Sequence, residues 1–394
     1  MNMKDIRKAI KKHLPRIIKF RRAMHEFPDL SNGERQTCAR IAETLSMYGI
    51  EYGELLGGTA LVASVGLRDA KTVALRADTD ALPLNEETGL PFASKKPGVM
   101  HACGHDIHAA AALGAALVLK DIENELPGRV KIFFQPAEEA QGGAERMIAA
   151  GCLEEPYVSN VMGLHVDPSL PAGMAAFKFG KMYAASDEFT LIMRGRGCHG
   201  AHPDKGCDAI LMAAHTVAAL QHIASRNISP LEAAVVTIGK VNGGTNGNII
   251  ASSVEMTGII RSLSSETRLF LRRRVKETAD GIASAFGGAV ELTVRPSYGA
   301  LINDDYTVGT LADAARAAIG AENVVIKKEP ALGTEDFSYF AAARPSCFYE
   351  LGCGFSDKRT NYPLHSAKFE ADERCVETGV ALHIAGALAL LDKN

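Results

Sequence analysis

At 394 residues the chain is longer than one compact core usually organises, which points to two domains. Hydrophobic residues make up 47% and charged residues 23%, the balance of a globular protein. The formal net charge of -3 leaves no basic excess to neutralise phosphates and argues against nucleic-acid binding. The longest apolar run, Ala109 to Leu119, is far short of a membrane span, so no membrane partner is expected.

The basic, amphipathic start of the chain lacks the apolar stretch of an export signal, and a cytoplasmic location is the expectation. The eight cysteines form no CxxC pair, which disfavours a zinc ribbon or a thioredoxin-like site, and free thiols are expected.

In chain order, residues 4–25 and 34–48 carry apolar residues near helical spacing. Pro15 is a point where the first helix could kink or divide, and Pro28 with Ser31-Asn32-Gly33 separates the two. Strand-like runs follow at Thr59–Val65 and Thr72–Ala77, then an alanine-rich helix from Ile107 to Leu119, then strands Val130–Phe134 and Val161–Val166. Strands alternating with helices indicate an α/β fold with a central sheet.

The texture changes near residue 186. Phe189–Met193, Val235–Val241, Val254–Ile260 and Val290–Val294 read as strands, and Ala209–Ala224 and Glu266–Phe286 as helices. That βαββαβ order suits a small two-layer α+β domain of the ferredoxin-like kind. From 297 onward helices and Gly-rich loops resume. The expected layout is a two-domain α/β protein: a catalytic domain with a mixed central sheet from 1–185 and 297–394, and an inserted ferredoxin-like domain at 186–296.

Metal-ligand residue types recur near predicted strand ends and loops. In His101-Ala102-Cys103-Gly104-His105-Asp106-Ile107-His108, Cys103 and His105 are alternate residues able to face one ion or a pair, and a thiolate suits a borderline-soft cation such as Zn²⁺. A buried cysteine beside capping polar groups fits the same pattern, and His101 and His108 read better as supporting or packing residues. Glu138 and Glu139 follow a strand; adjacent carboxylates there repel unless something positive is present, and one can hold metal while the other moves a proton. A solvated turn is the bland reading. His165, in an apolar strand, and His365, in a loop, are ambiguous singly. Arg76-Ala77-Asp78-Thr79-Asp80 closes a strand with two carboxylates that can either orient an imidazole or form an ordinary salt-bridged strand end.

Taken together these segments resemble the di-metal peptidase family of aminoacylases and glutamate carboxypeptidases, in its amidohydrolase branch. The resemblance runs through RAMHEFP, LRADTDALP, MHACGHDIHAA, FFQPAEEAQGGAERMI, GLHV, GCHGAHP, GTNGNII, GTEDFSYF and PLHSAKF, nearly the whole chain. It implies metal binding by Cys103, His105, Glu139, His165 and His365, with Glu138 as general base. It implies a supporting aspartate, Asp78 by preference and Asp80 as the alternative, because the wider family's His-x-Asp motif has no histidine here. His199, with His202 beside it, matches a histidine that reaches a partner subunit's site to stabilise an oxyanion; Asn248 and Arg261 match substrate contacts. Glu335 and Asp336 match the family without an evident role.

The resemblance further implies two divalent ions per subunit (zinc or manganese first, cobalt or nickel next), a homodimer or larger assembly, and hydrolysis of a small N-acylated amino acid. The competing readings are a dipeptidase of the same family, a thiol hydrolase with Cys103 as nucleophile, and a non-catalytic relative that only binds ligand.

Overall fold

The computed structural model describes residues 3–66, 70–140, 142–357 and 360–392, which fall into two compact units. Gln141, part of the Glu138–Glu139 segment, lies outside the described residues. The first unit comprises Met1–Gly180, Ile302–Glu329 and Tyr339–Asn394, and the second Lys181–Leu301 with Pro330–Ser338.

The first unit is built on an eight-stranded mixed sheet in the order Glu51–Leu55, Ala60–Gly66, Arg129–Gln135, Thr72–Asp78, Val158–Pro171, Ser346–Gly354, Ala175–Phe177, Val324–Ile326. The central pairings, from 129–135 through 72–78 and 158–171 to 346–354, are parallel. Every residue of Thr72–Asp78 is buried, as expected of a central strand covered on both faces. The C-terminal ends of these parallel strands deliver Asp78 and, just past Gln135, Glu138 and Glu139; open α/β sheets place ligands at such ends.

Three helices pack closely against one another on this sheet: Met3–Glu26, His105–Asp121 and Arg374–Asp392. The close approach depends on small residues. A Cβ on Gly114 would come within 2.6 Å of Val380 Cγ2 and 2.7 Å of Ile17 Cδ1. The helix Arg374–Asp392 is long and apolar enough to cross a membrane, but most of it is buried in this core.

Helix Met3–Glu26 runs unbroken through Pro15, so the division considered for that proline does not occur. Ile6, Ile10, Ile17, Phe20 and Met24 lie along one buried face. At about 1.5–3 kcal/mol for each large apolar side chain, that burial outweighs the roughly 3 kcal/mol an interior proline costs.

The region after 297 was expected to be helices and loops, yet it contributes Ser346–Gly354 to the middle of the sheet. All nine residues of that strand are buried, so the polar–apolar alternation that marks a half-exposed strand is missing.

The second unit is a four-stranded antiparallel sheet in the order Ala234–Gly243, Ser253–Ser262, Ala185–Arg194, Ala289–Pro296. With helices Ala209–His222 and Ser265–Ala285 the chain order is βαββαβ. Burial alternates along Ser253–Ser262, with Val254, Met256 and Ile260 in the core and Arg261 on the opposite face. Ser264 caps the second helix by accepting from Thr267 N. Arg268 and Arg272 both bond the buried Asp187, tying that helix to its strand.

Candidate active site

The helix His105–Asp121 begins directly after Gly104, whose φ of +82° turns the chain out of Cys103. A Cβ on Gly104 would lie 2.4 Å from Val166 Cγ2, so glycine is needed both for the turn and for the contact with the strand that carries His165.

The result is a convergence of ligand-type side chains in the first unit. Cys103 Sγ lies 3.4 Å from His165 Nε2 and 3.3 Å from His365 Nε2, and His365 Nε2 lies 3.0 Å from Glu139 Oε1. Donor atoms of Cys103, His105 and His165 lie within 4.8 Å of one another, as do those of Cys103, Glu139 and His365, and those of His105, Glu138 and Glu139. Thus all five expected ligands and Glu138 meet, although they span positions 103 to 365.

The imidazoles are oriented from behind. His105 Nδ1 donates to Asp80 Oδ1 at 3.2 Å, which leaves its fully buried Nε2 without a hydrogen-bond partner. His165 Nδ1 donates to Val166 O at 2.9 Å, which turns its Nε2 toward Cys103. An imidazole anchored through one nitrogen, with the other left free in a nest of thiol and carboxylates, is the donor arrangement of a metal ligand. His365 holds φ +64° and donates its backbone N–H to Ala102 O, so a strained backbone fixes the one ligand that is more than half exposed.

Asp78, preferred from sequence for the supporting role, is occupied elsewhere. It accepts from Arg76 Nη1 at 2.6 Å and from His108 Nδ1 at 2.5 Å, and lies 3.8 Å from His105 Nε2. Asp80, the alternative, makes the hydrogen bond to His105 and also accepts from Glu139 N at 3.0 Å. Strand Thr72–Asp78 ends at Asp78, and both aspartates reach the same ring, Asp80 at hydrogen-bond distance from Nδ1 and Asp78 at 3.8 Å from Nε2. His108 spends its second nitrogen accepting from Val166 N, so neither of its nitrogens is free for an ion. His101 is buried with both nitrogens unpartnered among the described residues, and burial pushes its pKa down to about 4.

The local field is negative. Burial alone would lower the pKa of His105, but Asp78 and the bond to Asp80 outweigh it and raise the group to about 10. Burial first, then His108, pushes His165 down to about 3, so it stands as a neutral donor. Burial and the carboxylate of Glu139 hold the Cys103 thiol well above its ordinary value. A buried thiol, three imidazoles and several carboxylates with one local arginine make a donor set that divalent cations fit.

Candidates in the second unit are arranged differently. Strand pair Cys198–His199 and Ile249–Ile250 brings His199 opposite Ile249, with Asn248 accepting from Gly200 N. His199, His202 and Asn248 are exposed, and the His199 and His202 rings lie 5.7 Å apart. Arg261 is partly buried, and its Nη1 has no partner. Glu335 and Asp336 are buried in this unit, Glu335 accepting from Phe337 N.

Several site-side residues were given no role from sequence, although His25 lies in RAMHEFP and Asp106 in MHACGHDIHAA. Arg21, His25, Glu86 and Asp106 form a buried chain behind the His105 turn: His25 bonds Asp106 at 2.8 Å and Glu86 at 3.2 Å, and Arg21 Nε lies 2.8 Å from Asp106. Ser31 donates to Asp80, and Glu34 accepts from Ala137 N.

Residues 74–388 match Peptidase family M20/M25/M40. The chain is 37% identical over 379 residues to a Bacillus subtilis protein named N-acetyl-L-cysteine deacetylase, covering 96% of this chain and 89% of that one. It is 37% identical over 382 residues to thermostable carboxypeptidase 1 of Saccharolobus solfataricus, 96% of each. A crystal structure of the Bacillus subtilis YXEP protein, described as a dinuclear metal binding peptidase of the M20 family, superposes with TM-score 0.85 at 32% identity, covering 98% of this chain and all of that one. The chain therefore belongs to the M20/M25/M40 peptidase family, in its amidohydrolase branch, and is a hydrolase.

Proposed function

We propose that the protein cuts the amide bond of a small N-acylated amino acid, releasing a carboxylic acid and a free amino acid. The observation that carries this reading is the convergence of Cys103, His105, Glu139, His165 and His365 beside the buried carboxylate of Glu138. Those five side chains would hold two divalent ions, with zinc or manganese preferred for a mixed thiolate, imidazole and carboxylate set. When bound, such ions polarise an acyl carbonyl and lower the pKa of water.

Glu138 then acts as proton carrier. It accepts a proton from the attacking water and returns it to the leaving nitrogen, so one carboxylate serves both halves of the hydrolysis. Asp80 fixes the tautomer and direction of His105. His199, supplied from a partner copy, is assigned to the developing oxyanion, and Asn248 and Arg261 to the substrate. The unpartnered Nη1 of Arg261 supports a carboxylate-binding role, because burial lowers that guanidinium's pKa and the shift has no carboxylate cause. The proposed working form is a homodimer or larger assembly of this chain in the cytoplasm.

A carboxypeptidase-named relative at 37% identity favours a second reading, the cleavage of dipeptides by the same site. One experiment addresses both. Ion-reconstituted protein is assayed for free amine release from N-acetyl and N-benzoyl amino acids and from dipeptides. Turnover confined to acylated amino acids is expected; release from dipeptides alone would replace the acyl reading, and no release from any would remove both. Loss of turnover on chelation, restored by added ions, separates this chemistry from a Cys103 thiol hydrolase.

A further inference from the structure

We infer that Glu34 is a positioning residue that holds the turn carrying Glu138 and Glu139; the inference rests on the roles proposed for those two glutamates. Glu34 stands at the N-cap of helix Arg35–Met47, where a side-chain acceptor would ordinarily bond the first helical N–H groups. It makes no such bond. Its carboxyl is fully buried instead, and Oε1 accepts from Asn32 N and, 103 residues away, from Ala137 N, each at 2.9 Å.

Ala137 explains the need for an anchor. It is a buried non-glycine residue at φ +56°, a left-handed conformation that costs an L-residue energy unless its surroundings impose it. Two residues on, Glu139 N donates to Asp80 Oδ2. The turn is thus tied at alternate amides, Ala137 to Glu34 and Glu139 to Asp80, with Glu138 between the ties. Both anchors return to one short segment: Ser31 Oγ donates to Asp80 Oδ2 at 2.7 Å, and Asn32 N donates to Glu34. The Ser31–Glu34 turn, which in sequence only separates two helices, becomes a brace for the site.

Glu34 Oε2 has no hydrogen-bond partner among the described residues, so the carboxyl is committed through one oxygen. Burial, with Asp80 adding to it, pushes its pKa up to about 7 against the pull of the backbone donors. Both amides are held by the one oxygen Oε1, so we assign the brace to that acceptor rather than to a full charge. Glu34→Gln, which keeps that oxygen, and Glu34→Met, which keeps the length and loses it, divide the two possibilities.

The test uses the full chain without added ions for backbone amide exchange, and the ion-loaded protein for kcat and KM on an N-acetyl amino acid. Glu34→Met is expected to speed exchange at Ala137 by about tenfold or more, and to lower kcat by about 10- to 100-fold with KM held within about threefold, the split expected when chemistry rather than binding is disturbed. Glu34→Gln is expected to stay near wild type in both. Should Glu34→Met fail to fold, Glu34→Asp, whose acceptor is withdrawn by one methylene, carries the same expectation for exchange. Wild-type protection of Ala137 in the Met or Asp variant overturns the brace. So does equal damage from Gln and Met, which would put the effect on charge. A wild-type protein that hydrolyses no substrate overturns the proposed function, while the exchange result still decides the brace.

Discussion

The two compact units handle their chemistry-bearing residues in opposite ways. In the first, nearly every such side chain is buried and wired: Asp80 to His105 and Glu139, Asp78 to Arg76 and His108, Asp106 to Arg21 and His25. In the second, His199, His202 and Asn248 lie exposed around a two-residue strand pair, and Arg261 keeps an unpartnered Nη1. Burial of polar groups costs least where they are paired, so the first unit builds support behind most of its donors, whereas exposed groups need none. The lesson is that loss of a first-unit residue should register in ion content, stability or chemical rate, and loss of a second-unit substrate contact such as Arg261 in substrate affinity.

The largest effect expected is from Glu138→Gln. It removes the proton carrier and leaves the five donor side chains in place, so turnover should fall by about two to four orders of magnitude with ion content unchanged. Parallel assay of kcat and bound metal checks this. Normal turnover would remove Glu138 from its role; lost metal would make it a ligand instead.

Next comes Asp106→Asn, which tests whether the buried wiring carries stability. Removing one member of a buried charge set leaves Arg21 and His25 with only part of their pairing, to Glu373 and Glu86, at a cost of up to about 3–5 kcal/mol in denaturant unfolding. Burial pushes the Asp106 pKa up, but Arg21 and His25 outweigh it and hold it well below the usual carboxylate range. A depressed folded-state pKa means the contribution is present above the unfolded value, near 3.8, and fades as pH falls further. The gap between wild type and variant should therefore be full at pH 7 and narrow below about pH 4. A pH-independent gap would mean the variant acts through packing rather than charge.

This contrast also marks what the sequence could disclose. The alternation of strands and helices and the βαββαβ stretch are local patterns and could be read directly; Cys103, His105, Glu139, His165 and His365 were ambiguous one by one and were joined into a set only by the family resemblance. Strand Ser346–Gly354 could not, because a strand covered on both faces loses the period of two that identifies it. The choice between Asp78 and Asp80 was equally closed to inspection. It turns on which carboxylate meets the Nδ1 of His105 at hydrogen-bond distance, and two carboxylates spaced two apart look alike in sequence. Glu34 read as an ordinary helix start because its partner is 103 positions away.

That choice is itself testable at a smaller magnitude. Asp80→Asn should weaken ion binding by about 10- to 100-fold, the usual loss when the group orienting a ligand imidazole is changed. Asp78→Asn should leave ion affinity nearer wild type and lower stability instead, because its partners are Arg76 and His108. Competition with a chelator of known affinity ranks the two. The opposite ranking would return Asp78 to the supporting position.

The smallest effect belongs to the second unit. Arg261→Lys keeps a positive charge but gives up the planar fork that can grip a carboxylate through two parallel bonds. The loss is expected to be about 1.4 kcal/mol of binding, or tenfold in KM, with kcat within about threefold. Ion content and melting temperature should not move, because Arg261 Nη1 has no hydrogen-bond partner among the described residues. The substrate itself supplies the control. With the α-carboxylate of the acyl amino acid replaced by a neutral amide, wild type and variant should converge on the same KM, since the fork then has nothing charged to hold. A KM difference that persists on the amide would place Arg261 in the packing of its own strand, and the division between a wired unit and an open one would lose its clearest substrate-facing member.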